Sequence, residues 1–210
     1  ETGILKDEDW ISKWVHAPTD VSNNYPFLKY NFTIENIPDF APAYIASVGF
    51  HELYINGQKI SDAVLSPSVS DLRNRVLYSS YDIASYLNKG ENNIVIWLAA
   101  GWANFKDGNP KASFGIDKSP LCKAQFKINN DWLATDKSWK FTSSNISHYG
   151  YWQNSNFGGD IIDDSGRDII WTQDINNENL WANVDEVELD LKVSSDFVEP
   201  NRTTKTRSAI

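Results

Sequence analysis

The chain has 210 residues, 41% of them hydrophobic and 22% charged, a balance that supports a sizeable core and excludes disorder over the whole length. Its formal net charge of −9 argues against a nucleic-acid partner, since binding phosphates takes a basic face that releases counterions, and suits a neutral partner such as a sugar, or a cation. Its one cysteine, Cys122, excludes an internal disulfide and a cysteine metal site, and no apolar run approaches the ~18 residues of a membrane span.

Residues 1–24 open with "DEDWISKWVHAP" and continue as polar "TDVSNN". Trp10 and Trp14 are four apart, so one helical turn puts them on one side, and this N-terminal arm is expected to pack on the body through those rings. "FLKYNFTI", residues 27–34, alternates. Leu28, Tyr30, Phe32 and Ile34 face one way, while Phe27, Lys29, Asn31 and Thr33 face the other, as in a half-buried strand. "PDFAP" breaks it. "AYIASVGFHELYI" is β-rich and leads into Asn56-Gly57, both tolerant of the positive φ that a type I′ hairpin turn requires. "QKISDAVL" is its return strand and loop, and "RVLYSSYDI" is a further strand.

Asp82 is a candidate N-cap for a short helical turn through Leu87, and Gly90 sits where a C-terminal left-handed residue belongs. "NNIVIWLAA" is apolar on both faces and is expected as a buried central strand. Residues 101–120 form a long Gly/Asn/Pro-rich loop at its end, the kind of segment that carries binding residues on a rigid sheet. "LCKAQFKI" and "WKFT" are strands, with Cys122 expected as a buried core thiol and Trp132 and Trp139 covering a sheet. Residues 145–170 are irregular. "VDEVELDLKV", residues 184–193, alternates and is expected as a closing strand.

The 9 Trp, 9 Tyr and 10 Phe can fill a core, and an exposed aromatic face also stacks on the C–H face of a sugar ring, so composition leaves both uses open. No internal repeat is present. Roughly eight to ten short strands and one or two short helical turns give an all-β fold, a two-sheet antiparallel β-sandwich of jelly-roll type. The predicted organisation is an arm over 1–24, the β-sandwich domain over 25–195, and a linker over 196–210 leading toward a C-terminal part.

The order of these pieces resembles the N-terminal domain of bacterial α-L-rhamnosidases, a galactose-binding-like sandwich. The resemblance rests on Gly49, Leu53, Ile55, Asn56, Gly57, Ile60, Leu65 and Pro67 around "LYINGQKISDAVLSP". It continues through Arg75, Tyr78, Tyr81 and Asp82, then Leu87, Gly90 and Asn92, and ends at Gly101-Trp102. "FGGDIIDDSGRDIIW" and the tail "DFVEPNRTTKT" extend it over residues 10–205. Two positions depart from the family pattern: Ala103 stands where an aromatic is usual, and Asp160 where a Glu is usual.

The resemblance implies that this is the non-catalytic accessory domain of an inverting glycoside hydrolase. The acid and base carboxylates would lie in a helical (α/α)6 barrel elsewhere in the parent protein, in intramolecular contact with this domain. It also implies recognition of an L-rhamnose-containing glycan, with Ca²⁺ as a candidate cofactor. The residues expected to carry sugar binding are Trp102, Asn104, Asp107, Asn109, Asp160 and Asp164, in two loops. Asp107, Asp160 and Asp163 are the candidate cation ligands, since Ca²⁺ takes roughly six to eight oxygens from carboxylates, amides and carbonyls. The plain alternatives are that the Asp cluster makes solvated turns and that Trp102 is a core or interdomain plug.

Catalysis in this chain is not expected. An inverting glycosidase needs two carboxyls about 6.5–9.5 Å apart across a formed cleft. His16, His51 and His148 have no metal-ligand spacing, and no Ser-His-Asp arrangement is evident. The chain starts at Glu1 and contains no Met, so a leader is expected to have been removed and the protein to be secreted or periplasmic. The competing readings are an independent carbohydrate-binding module and a purely structural interdomain spacer.

Overall fold

The computed structural model describes residue 3 and residues 6–18, 25–104, 116, 120–149, 158–163 and 173–207, with the backbone alone for Trp102, Asn104, His148, Gln173 and Asp174. Fifteen strands run through these residues. The first seven are β1 (Trp14–His16), β2 (Pro26–Ile34), β3 (Pro42–Val48), β4 (Phe50–Ile55), β5 (Gln58–Lys59), β6 (Arg75–Asp82) and β7 (Gly90–Ala99). Then come β8 (Leu121–Ile128), β9 (Asp131–Ala134), β10 (Lys140–Ser143), β11 (Ile146–Tyr149) and β12 (Gly159–Ile162). The last three are β13 (Ala182–Asn183), β14 (Asp185–Val187) and β15 (Lys192–Ser195).

A seven-stranded sheet in the order β14-β1-β8-β3-β6-β15, with β9 also on β8, faces a six-stranded sheet in the order β13-β10-β2-β7-β4-β5. All the pairings are antiparallel except that of β15 on β6. The fold is therefore the expected two-sheet β-sandwich. A third, two-stranded sheet joins β11 to β12.

Alternation explains the core. Leu28, Leu53, Ile55, Ile94, Ile96 and Leu98 point inward from one sheet, and Val15, Ala43, Ile45, Cys122, Ala124 and Phe126 from the other. Each large aliphatic among them stabilises the fold by roughly 1.5–3 kcal/mol relative to exposure. Trp139 ties the layers together. It is fully buried, stacked on Tyr30 of one sheet at 5.5 Å and near Phe126 of the other at 6.1 Å, and its Nε1 donates to the Ala134 carbonyl at 3.0 Å. Cys122 is buried as expected, and burial pushes its thiol well above the ordinary range.

The Asn56-Gly57 turn has φ values of +51° and +78°, as a type I′ turn requires. The Asn56 side chain then reaches across to the start of β7. Its Nδ2 donates to the Tyr86 carbonyl and to Asn92 Oδ1, and its Oδ1 accepts from Asn93 N. Asn92 in turn accepts from Asn88 N and donates to the carbonyls of Asn88 and Gly90. A short 3-10 turn, Ala84–Tyr86, starts where Asp82 Oδ1 accepts from Ala84 N.

Four expectations need correction. Gly90, at φ +94°, does not end the helical turn; it opens β7, after the turn has ended at Tyr86. Trp10 and Trp14 do share one apolar cluster, but Trp14 lies in a strand and no helical turn relates them. Residues 184–193 are not one closing strand. β14 and β15 lie at opposite edges of the same sheet. Val187, Leu189, Leu191 and Val193 nevertheless all pack on the cluster of Trp10, Trp14, Tyr44 and Tyr78, so the alternation serves a segment that crosses a sheet face. Finally, the first half of β2 is buried on both sides: Phe27 is 5% and Lys29 2% exposed, against the expected half-burial. The cause is the segment around two short 3-10 turns, Gln173–Asn176 and Glu178–Leu180, which lies over that face.

Candidate functional site

The outward face of the six-stranded sheet carries rows of side chains set by strand register. Phe27, Trp97 and Glu52 are cross-strand neighbours in one row, and Lys29, Val95 and Tyr54 in the next. The second row is covered. Lys29 donates to the Ile175 carbonyl at 2.8 Å and to Glu178 Oε1 at 2.9 Å, and lies 4.5 Å from the centre of the Trp181 ring. Glu178 also meets Lys140 at 3.0 Å, and these two ammonium groups hold its carboxyl below the ordinary range.

Since Phe27 is buried under the same segment, the first row is open only at its Trp97 and Glu52 end. A cleft of about 230 Å³ lies between it and the β11–β12 hairpin, bordered by Tyr25, Glu52, Trp97, Leu65, Ile146 and Asp160. Tyr25 is held from two sides. The Trp97 indole Nε1 donates to its carbonyl at 3.2 Å, and its own hydroxyl donates to Asp160 Oδ1 at 2.7 Å. Burial, the Asp160 hydrogen bond and the Asp160 charge all push the Tyr25 phenol above its ordinary range, so it stays a donor at neutral pH. Asp160 Oδ2 has no hydrogen bond among the described residues and remains an acceptor at the rim. Glu52 is held by the Tyr54 hydroxyl at 2.5 Å and by Lys59.

Below the cleft, His51 is buried in a hydrogen-bonded chain. Its Nδ1 lies 2.8 Å from Ser47 Oγ and its Nε2 3.0 Å from the Tyr81 hydroxyl. Ser47 Oγ donates to the Gly49 carbonyl, so a consistent direction has Nδ1–H donating to Ser47 and Tyr81 donating to Nε2. Burial holds the imidazole pKa down to about 3 and the Tyr81 phenol up to about 12. The imidazole is thus neutral and the chain is structural. Gly101, at φ +51°, follows β7 at the same end; a Cβ there would lie 2.5 Å from the Phe50 ring, so a side chain at this position would have to displace that ring.

Of the residues expected from sequence to bind sugar, Asp160 lies at this cleft. Trp102 and Asn104 lie in the 3-10 turn Gly101–Asn104 directly after β7, with their side chains outside the description. Asp107, Asn109 and Asp164 lie outside the described residues. Asp163 closes the hairpin: its N–H donates to the Asn145 carbonyl at 2.8 Å and its carbonyl accepts from Asn145 Nδ2 at 3.2 Å. Asp160 and Asp163 are three apart along extended backbone, where side chains alternate sides, so the two do not by themselves converge on a cation. No group of three His, Cys, Asp or Glu side chains converges among the described residues. The described carboxylates alone thus do not form a Ca²⁺ site.

Trp97, Tyr25 and Glu52 were not singled out in the sequence, and Leu65 only as a position of the family pattern. A signal existed: the alternation of β7 puts Trp97 opposite Ile96 and Leu98, and the alternation of β4 puts Glu52 beside it.

The sequence profile described as "Alpha-L-rhamnosidase N-terminal domain" matches residues 38–205. The chain belongs to this family. An "Alpha-L-rhamnosidase" of Formosa agariphila is 26% identical over 100% of the chain and 24% of that protein, and one of an Alteromonas species is 24% identical over 88% and 21%. Among solved structures, an α-L-rhamnosidase from "Dictyoglumus thermophilum" superimposes with a TM-score of 0.78 at 26% identity, covering 98% of this chain and 24% of that one. This rhamnosidase N-terminal domain therefore spans about a quarter of the length of the curated relatives it matches.

Proposed function

We propose that the chain is a non-catalytic accessory domain of an α-L-rhamnosidase, which supports the catalytic part of that protein and helps recognise its carbohydrate through the Trp97 cleft. The observation that carries the reading is the family match over residues 38–205 in a chain that spans only a quarter of its relatives. The cleft supports the finer part. It offers an aromatic side chain, an aliphatic rim and a carboxylate acceptor, which together suit a sugar with one apolar face and several hydroxyls. Both of its carboxylates already accept from fixed tyrosine hydroxyls, which favours binding over proton transfer.

Calorimetric titration of the chain with L-rhamnose, with and without Ca²⁺, tests this. The expected result is a dissociation constant on the order of 1 mM, weakened at least about tenfold by Trp97→Ala. No heat at tens of millimolar sugar would remove the recognition part and leave the interdomain spacer. Binding unaffected by Trp97→Ala and abolished by Asn104→Ala or Asp107→Ala would move the site to the loop after β7. Secretion or a periplasmic location belongs to the same proposal, as the place where such a protein would meet a glycan.

A further inference from the structure

The segment after β15 does not leave the body at once. Asp196 N donates to the Tyr78 carbonyl at 2.8 Å, and Asp196 Oδ2 accepts from Ser68 N at 2.8 Å. Further along, Val64 N donates to the Asn201 carbonyl at 2.9 Å, Ala63 forms an antiparallel bridge with Arg202, and Arg202 Nε pairs with Asp62 at 2.9 Å. Residues 62–69 and 196–202 are thus tied into an antiparallel ribbon on the surface.

The ribbon is pinned by polar groups, yet it turns apolar side chains to solvent. Leu65 is 60% exposed, Val69 61%, Phe197 77% and Val198 52%, a third or more of the large exposed apolar side chains among the described residues. The Arg75 guanidinium lies over the Phe197 ring, 5.9 Å from its centre. Leu65 takes φ +57°, a conformation rare for a bulky residue and one that costs energy. Beside the ribbon, Pro67, Val69 and Leu72 border a recess of about 30 Å³. Ordering backbone costs roughly 1–2 kcal/mol per residue, which exposed apolar side chains do not offset until something covers them.

We propose that this ribbon is the docking face for a neighbouring domain of the same rhamnosidase polypeptide, with Phe197 and Leu65 as its apolar anchors. The inference rests on the accessory-domain reading. About three quarters of the length of these relatives lies outside the matched region, and polypeptide joined after residue 210 would follow on from this ribbon. Because Leu65 also borders the Trp97 cleft, the docked domain forms the far wall of that cleft, a usual place for a ligand site.

Thiol labelling of the complete polypeptide tests the proposal, with Phe197→Cys and Val69→Cys compared against Glu35→Cys, an exposed position away from the ribbon. The expected result is labelling at least tenfold slower at 197 and 69 than at 35; equal rates would overturn it. Amide exchange of residues 197–199 in the unsubstituted polypeptide gives the same reading without any variant. It should be slower there than in the chain of residues 1–210, and equal rates would again overturn it. Protection that grows with protein concentration would assign the face to a second copy and also overturn it. Hydrolysis of an aryl α-L-rhamnoside by the same preparation separates failure of docking from failure of the rhamnosidase reading.

Discussion

At the scale of single residues, most of the family motif has a structural job. Asn56 links the hairpin to the start of β7 through three side-chain hydrogen bonds, which is why "ING" and "GENN" occur together. Asn56→Ala removes all three and leaves buried Asn92 short of a donor. It should destabilise the fold by about 2–3 kcal/mol in urea titration, while Asn31→Ala, exposed on β2, should stay within about 0.5 kcal/mol. His51 gives a pH signature. The folded protein keeps it neutral down to about pH 3, against 6.5 for the free side chain, so the unfolded chain binds more protons in that window. Its contribution is complete above pH 6.5 and is lost as pH falls, by up to about 1.4 kcal/mol per pH unit. The slope of stability against pH from about 6 to about 4 should be smaller by one proton in His51→Gln. The turn at Asn56-Gly57 was legible because its conformation is local. Trp97 was not, because β7 is apolar on both faces, and alternation separates Trp97 from Ile96 and Leu98 without saying which face meets a cleft.

At the scale of elements, alternation identified β2, an apolar run on both faces identified the central position of β7, and the Asn56-Gly57 turn identified the hairpin β4–β5. Alternation failed where a long-range partner changes the meaning of the pattern. The run 184–193 alternates because it covers a sheet face, although it is not one strand. Lys29 reads as an outward polar position on β2, but the segment around Trp181 covers it and supplies its acceptors. That latch is testable. Glu178→Gln removes the carboxylate beside a buried ammonium, and a loss of about 1–3 kcal/mol is expected, moderated because Glu178 is itself half exposed. Amides of residues 175–181 should then exchange faster while those of β7 stay protected. Equal protection throughout would show that apolar packing alone holds the segment.

At the scale of the molecule, the sandwich and its family were both legible, because they depend on the order of several short motifs rather than on any one. The site was legible only at Asp160, since a cleft is made by three segments distant in sequence: Tyr25, the β4–β7 pair and the β11–β12 hairpin. The central claim is that these groups recognise and support rather than catalyse. Its most direct test is hydrolysis of an aryl α-L-rhamnoside by the complete polypeptide carrying Glu52→Gln and Asp160→Asn together. The expected kcat lies within about threefold of that of the unsubstituted polypeptide, with any change falling on KM. A loss of kcat on the order of a hundredfold or more, at unchanged KM, would place reacting carboxylates in this domain and contradict it.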